Sequence, residues 1–68
     1  MYEVKSNGVT VEMTANARDA VEKFHQCEEA EFFLSRADGT KTRAAYKRRR
    51  TTVILPEFAR VRAAAGGV

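Results

Sequence analysis

The sequence predicts a small α+β domain: one antiparallel sheet built from two β-hairpins, covered on one face by a main helix and followed by a short terminal helix. Three observations predict it. Asn7-Gly8 lies between two alternating segments near the start. Ala17, Ala20, Val21, Phe24 and Cys27 recur at helical spacing. Asp38-Gly39 marks a second turn soon after the apolar run Phe32-Phe33-Leu34. The layout is hairpin, helix, hairpin, short helix, in one domain over 1–68, because 68 residues leave room for one core only. A domain of this length buries about 60% of its unfolded surface, so pairing with a second copy or docking on a partner would add stability.

Each element follows from local chemistry. Tyr2–Ser6 and Val9–Thr14 flank Asn-Gly, a pair suited to a two-residue turn with positive φ at both positions. That turn sets Ser6 opposite Val9, Val4 opposite Val11 and Tyr2 opposite Met13. Tyr2, Val4, Val9, Val11 and Met13 then share one face. The other face opposes Lys5 to Thr10 and Glu3 to Glu12. Two opposed carboxylates repel, so a cation from the basic half of the chain is expected beside them.

Asn16 is placed to cap the helix, with Asp19 three residues on, where a carboxylate meets free N–H groups and the helix dipole, and Thr14 is the other candidate cap. The stripe from Ala17 to Cys27 is expected to lie on the hairpin's apolar face. Arg18, Glu22 and Lys23 point away. Glu31–Arg36 reads as a strand, because a helix would spread three adjacent large apolar residues over more than one face. One of Phe32 and Phe33 then faces away from the main core, under the terminal helix or in a dimer interface. Thr51–Leu55 reads as strand, and the stretch from Thr40 before it either continues that strand, the favoured reading, as one long basic strand with a bulge or break, or forms a short helical turn. Leu55-Pro56 ends the strand, and Pro56 suits a first helical position. Phe58, Val61 and Ala65 form a short apolar stripe ended by Gly66-Gly67, and residues 56–68 are expected to pack loosely or fray.

The charges are unevenly divided. Residues 1–34 carry three Lys/Arg against seven Asp/Glu, a balance of −4; residues 35–68 carry nine against two, or +7, and together these return the net +3. Such a chain has an acidic part and a basic part, which either serve two partners or neutralise each other across the fold. Cys27 is the only cysteine, which fits a reducing, intracellular and hence cytoplasmic setting. No signal-peptide pattern or apolar run near 18 residues is present, so neither secretion nor a membrane partner is expected.

The basic part concentrates in Lys47-Arg48-Arg49-Arg50, preceded by Tyr46 and followed by Thr51-Thr52. Extended backbone would send Lys47 and Arg49 to one face and Arg48 and Arg50 to the other. Unpaired charges are not buried, so at least two reach solvent. Arginine matches phosphate with two parallel hydrogen bonds, and an exposed tyrosine stacks on bases. The run is therefore a candidate nucleic-acid contact, which Lys41 and Arg43, with Arg60 and Arg62, would extend. The blander reading is a solvated edge strand whose cations block aggregation. Glu28, Glu29 and Glu31 form a candidate docking patch for a basic protein surface, or a solvated helix end.

His25 and Cys27 stand two apart, on different faces of a helix, and no other His or Cys could complete a site with them. Ser6 and Ser35 have no positioned base in view. No metal or cofactor is implied, and the chain reads as a non-enzyme.

In its size, the Asn7-Gly8 hairpin at its start, the short helix Ala17–Cys27 and the turn at Asp38-Gly39, the chain resembles the small accessory proteins that phages and prophages encode. The resemblance implies either nucleic-acid binding or inhibition of a host protein, such as a transcription or defence complex, through charged surfaces. Three expectations result. The chain binds nucleic acid through its basic cluster; it binds an acidic or nucleic-acid-handling protein; or it is a structural module that forms a homodimer.

Overall fold

Asn7 and Gly8 both take positive φ, 53° and 78°, so the two-residue turn forms as its chemistry requires. It joins β1 (Tyr2–Ser6) to β2 (Val9–Thr14). The computed structural model describes residues 1–66 of the chain. After β2 come α1 (Ala17–Gln26), β3 (Ala30–Ser35), β4 (Lys41–Arg48), β5 (Thr51–Ile54) and α2 (Pro56–Ala64). The five strands form one antiparallel sheet in the order β2-β1-β3-β4-β5. Gly66 is described, with a φ of 77°; Gly67, the other half of the expected stop, lies outside the described residues.

Both helices pack on one face of the sheet around a single core. The Asn16 side chain accepts from the Asp19 N–H at 3.1 Å, which starts α1 as expected. Its buried residues are Ala17, Ala20, Val21 and Phe24, and Cys27 is a half-buried C-cap against the core. Phe58, Val61 and Ala65 bury the inner side of the α2 region. Phe24, Phe32 and Phe58 meet with ring centroids 5.1–5.9 Å apart and supply most of the core's aromatic surface. No helix among the described residues is long and apolar enough to cross a membrane.

Three expectations about register and layout are corrected. The first hairpin keeps Ser6 opposite Val9 and Lys5 opposite Thr10, but Val11 is then an extra residue, and Val4 faces Glu12. This β-bulge reverses the phase of β2 beyond Val11. Only Val4 and Tyr2 join the core; Val9, Val11 and Met13 are exposed at 63%, 40% and 53%. The bulge also removes the Glu3–Glu12 opposition, because Glu3 now pairs with Met13.

The basic strand has a break, as expected, but the break is a full reversal of the chain and not an interruption of one strand. The chain turns at Arg49-Arg50, so the second hairpin becomes a three-stranded meander and the sheet gains β5. The alternation expected for Lys47–Arg50 therefore fails after Arg48. One of the two adjacent phenylalanines faces away from the main core as expected, and the third correction concerns only its place under the terminal helix. Phe32 is fully buried, while Phe33 lies with Glu3 and Glu31 on the face opposite the helices, not beneath α2. A second bulge, at Ala44, lets Ala44 and Ala45 both be fully buried beside Phe32.

Candidate nucleic-acid interface

Antiparallel pairing brings the ends of several elements together at one end of the sheet. The β1–β2 turn, the start of β3 and the β4–β5 turn share that end. The two hairpin tips flank the start of β3, and a cleft of ≈ 880 Å³ lies there. Lys5, Asn7 and Gly8 line it from the first hairpin; Glu29, Ala30 and Glu31 from the start of β3; and Arg43 and Tyr46–Arg49 from the second hairpin.

The basic run is distributed by its turn. Arg48 pairs with Thr51, and Arg49-Arg50 is the connection. Arg49 holds a positive φ of 51°, a region that glycine or asparagine usually fills. Arg48, Arg49 and Arg50 are exposed, and none has a carboxylate partner among the described residues. Thr51 and Thr52 are exposed beside them. Lys47 is employed elsewhere. On the helix face, its Nζ lies 5.1 Å from the centre of the Phe24 ring and donates to the His25 carbonyl at 3.1 Å. A cation there satisfies an end-of-helix carbonyl and the negative pole of α1.

The other expected cations separate by role. The Arg43 guanidinium lies 4.2 Å from the centre of the Tyr46 ring and bonds Glu31 at 3.1 Å. Tyr46 is thus half-buried beneath a cation of its own strand. Lys41 lies at the other end of β4, roughly 20 Å from the tip by strand rise, and its ammonium donates to Glu3. Arg60 lines a second recess of ≈ 330 Å³ with Tyr2, Leu34 and Arg36, at the far end of the sheet, so it does not extend the tip. Arg62 is exposed on α2.

The cation expected beside Glu3 is Lys41, but the burial of Glu3 was not legible in the sequence. Its carboxylate is 2% exposed although it lies on the open face. Register places Met13 and Phe33 on either side of it, and Thr10 and Lys41 both donate to it. The hydrogen bond from Lys41, then that from Thr10, holds its pKa below the ordinary value, against the opposing push of burial. Lys5 is the second omission. Its ammonium lies 5.8 Å from the Phe33 ring centre and forms the opposite wall of the cleft from Arg48 and Arg49. The signal was present in the alternation of β1, which puts Lys5 two residues from Glu3 on one face.

The acidic run is not a separate patch. Glu28 is exposed in the α1–β3 connection, Glu29 gives its carbonyl to the Ser6 hydroxyl at 2.7 Å, and Glu31 is taken by Arg43. Ala30 pairs with Lys47 and Glu31 with Tyr46, so the acidic and basic runs border the same cleft. Among the described residues, no three His, Cys, Asp or Glu side chains converge on a point that could hold a metal ion. No family model matches the chain, and neither the curated proteins nor the solved structures provide a match.

Proposed function

We propose that this domain is a small non-enzymatic nucleic-acid-binding protein that contacts phosphates through the β4–β5 hairpin tip. One observation carries the reading. Arg48, Arg49 and Arg50 are all exposed at the β4–β5 turn with no acidic partner among the described residues, whereas Lys41, Arg43 and Lys47 are each engaged within the fold. Three guanidinium forks on a two-stranded ribbon suit phosphate oxygens, and the exposed Thr51 and Thr52 hydroxyls add donors beside them. The contact is to backbone, so sequence preference is weak. A reducing, cytoplasmic location fits the lone Cys27.

The test is a salt titration of binding to labelled nucleic acid. Three phosphate contacts give a slope of about −2 to −3 in log K against log salt. The variant Arg48→Ala/Arg49→Ala/Arg50→Ala should lose nearly all of that slope. No binding at low salt by a folded wild type would sink the reading.

A second reading has its own observation. Val9, Val11 and Met13 are exposed on β2, which is an edge strand with unpaired backbone groups. An apolar edge of this kind pairs with another strand unless it is blocked. A homodimer through β2 would leave the arginine tips free, so the two readings are compatible.

A further inference from the structure

We infer that the nucleic acid is single-stranded, seated on the open sheet face with an unpaired base against the Arg43–Tyr46 stack and its phosphates at the arginine tip. This rests on the nucleic-acid reading above and narrows it.

Both helices cover one face of the sheet, and among the described residues no element covers the other. An uncovered antiparallel face is ordinarily polar. This one carries two aromatic rings, Phe33 on β3 and Tyr46 on β4, each beneath a cation. Arg43 is held from two sides, by the Tyr46 ring at 4.2 Å and by Glu31 at 3.1 Å. A guanidinium fixed in this way is a preformed stacking surface, because bases stack on arginine planes as they do on aromatic rings. Both contacts bias the side chain toward this position, so binding freezes less side-chain freedom than it would for an unpartnered arginine.

The spacing fits one strand. Tyr46 precedes Arg48 and Arg49 by two and three residues, or about 7–10 Å of strand. A base at Tyr46 therefore leaves its neighbouring phosphates near the tip. Lys5 supplies a cation on the opposite wall of the ≈ 880 Å³ cleft. The carboxylates act in the same sense. Glu31 is neutralised by Arg43, and Glu29 repels phosphate from the start of β3 toward the arginines. A duplex can meet the projecting tip, but its bases are paired and cannot reach a stack set back on the sheet face behind that tip.

The experiment is fluorescence anisotropy with labelled 20-nucleotide oligothymidine and oligouridine and a 20-base-pair DNA duplex, at one salt concentration and then across salt. The variants are Arg43→Lys, which keeps the charge and loses the plane, Tyr46→Leu, and the triple tip variant, each checked for folding by circular dichroism. We expect single strands to bind at least tenfold more tightly than duplex. Arg43→Lys and Tyr46→Leu should each weaken single-strand binding about 5- to 100-fold, with the salt slope unchanged. Duplex binding as tight as single-strand binding, or single-strand affinity unchanged in both stack variants, would overturn this inference. If the triple variant still lost its binding, the phosphate-contact reading would survive that result. A folded wild type that binds none of the three probes would remove both.

Discussion

Lys41 on β4 reaches across β3 to the carboxylate of Glu3 on β1. The pair joins the basic half of the chain to the acidic half, and it supplies the cation that the sequence reading expected near Glu3. The carboxylate is buried and the ammonium is 44% exposed. Lys41→Met leaves Glu3 with only Thr10 as donor among the described residues, and should cost about 1–3 kcal/mol, less than the ~3–5 kcal/mol of a fully buried pair. The double change Glu3→Leu/Lys41→Met should cost less than Lys41→Met alone, because no charge is then stranded. Urea unfolding of the three proteins decides this.

The same pair sets a pH dependence. Because the folded state lowers the pKa of Glu3, the unfolded chain takes up the proton first as pH falls. The stabilisation is complete above the ordinary value of 4.5 and is lost as pH falls through the lowered folded value. Asp38 is also shifted down, by the hydroxyl and then the N–H of Thr40, but that contribution is common to wild type and Glu3→Gln. The urea midpoint of wild type should therefore fall more steeply than that of Glu3→Gln below about pH 4.5. Parallel curves would show that Glu3 carries no such linkage.

Phe32 and Phe33 are adjacent in sequence and opposite in environment. Phe32 touches Phe24, Phe58 and Tyr2, while Phe33 lies under Lys5 on the open face. Phe32→Ala should cost about 3–5 kcal/mol, enough to unfold a domain of marginal stability. Phe33→Ala should cost about 1 kcal/mol. Equal losses in thermal or urea unfolding would mean that the faces are assigned wrongly.

The parts of the fold that were legible are those where one residue type dictates one backbone geometry. Asn7-Gly8 demanded its turn, Asn16 its cap, Pro56 its helix start, and the spacing from Ala17 to Phe24 its buried stripe. The bulge at Val11 was not legible, and of the bulge or break expected in the basic strand the place, Ala44, was not, because an extra residue changes strand phase without requiring a special residue. The turn at Arg49-Arg50 escaped for the opposite reason. It takes a positive φ at an arginine, so the chain carries no Gly or Asn to announce it. For the site, the run of cations was visible, but their division into free and engaged was not. That division depends on long-range neighbours: Glu3 for Lys41, Glu31 for Arg43 and His25 for Lys47.

The exposed edge strand gives a separate prediction. Val11 is 40% exposed, so Val11→Lys should change stability by no more than about 0.5 kcal/mol. A charge on the edge blocks strand addition. If β2 mediates dimerisation, sedimentation of wild type should give a mass that rises toward twice 7.6 kDa with concentration, and Val11→Lys should stay monomeric. A wild type that stays monomeric at every concentration removes the dimer reading.

Arg49 couples stability to binding. Its φ of 51° puts an L side chain where the backbone strain is about 1–2 kcal/mol, and glycine avoids it. Glycine also has more unfolded freedom to lose, so Arg49→Gly should gain about 0.5–1 kcal/mol net. Arg50, which is not at positive φ, has no such strain to release, and Arg50→Gly should be slightly destabilising. Each change removes one phosphate contact, so each should flatten the salt slope by about 0.7–0.9. Paired urea and salt titrations on the two variants separate the effects. Opposite signs in stability with equal losses in slope are expected. Loss of stability in Arg49→Gly would contradict the strained turn, and an unchanged slope in both would take the tip out of the phosphate contact.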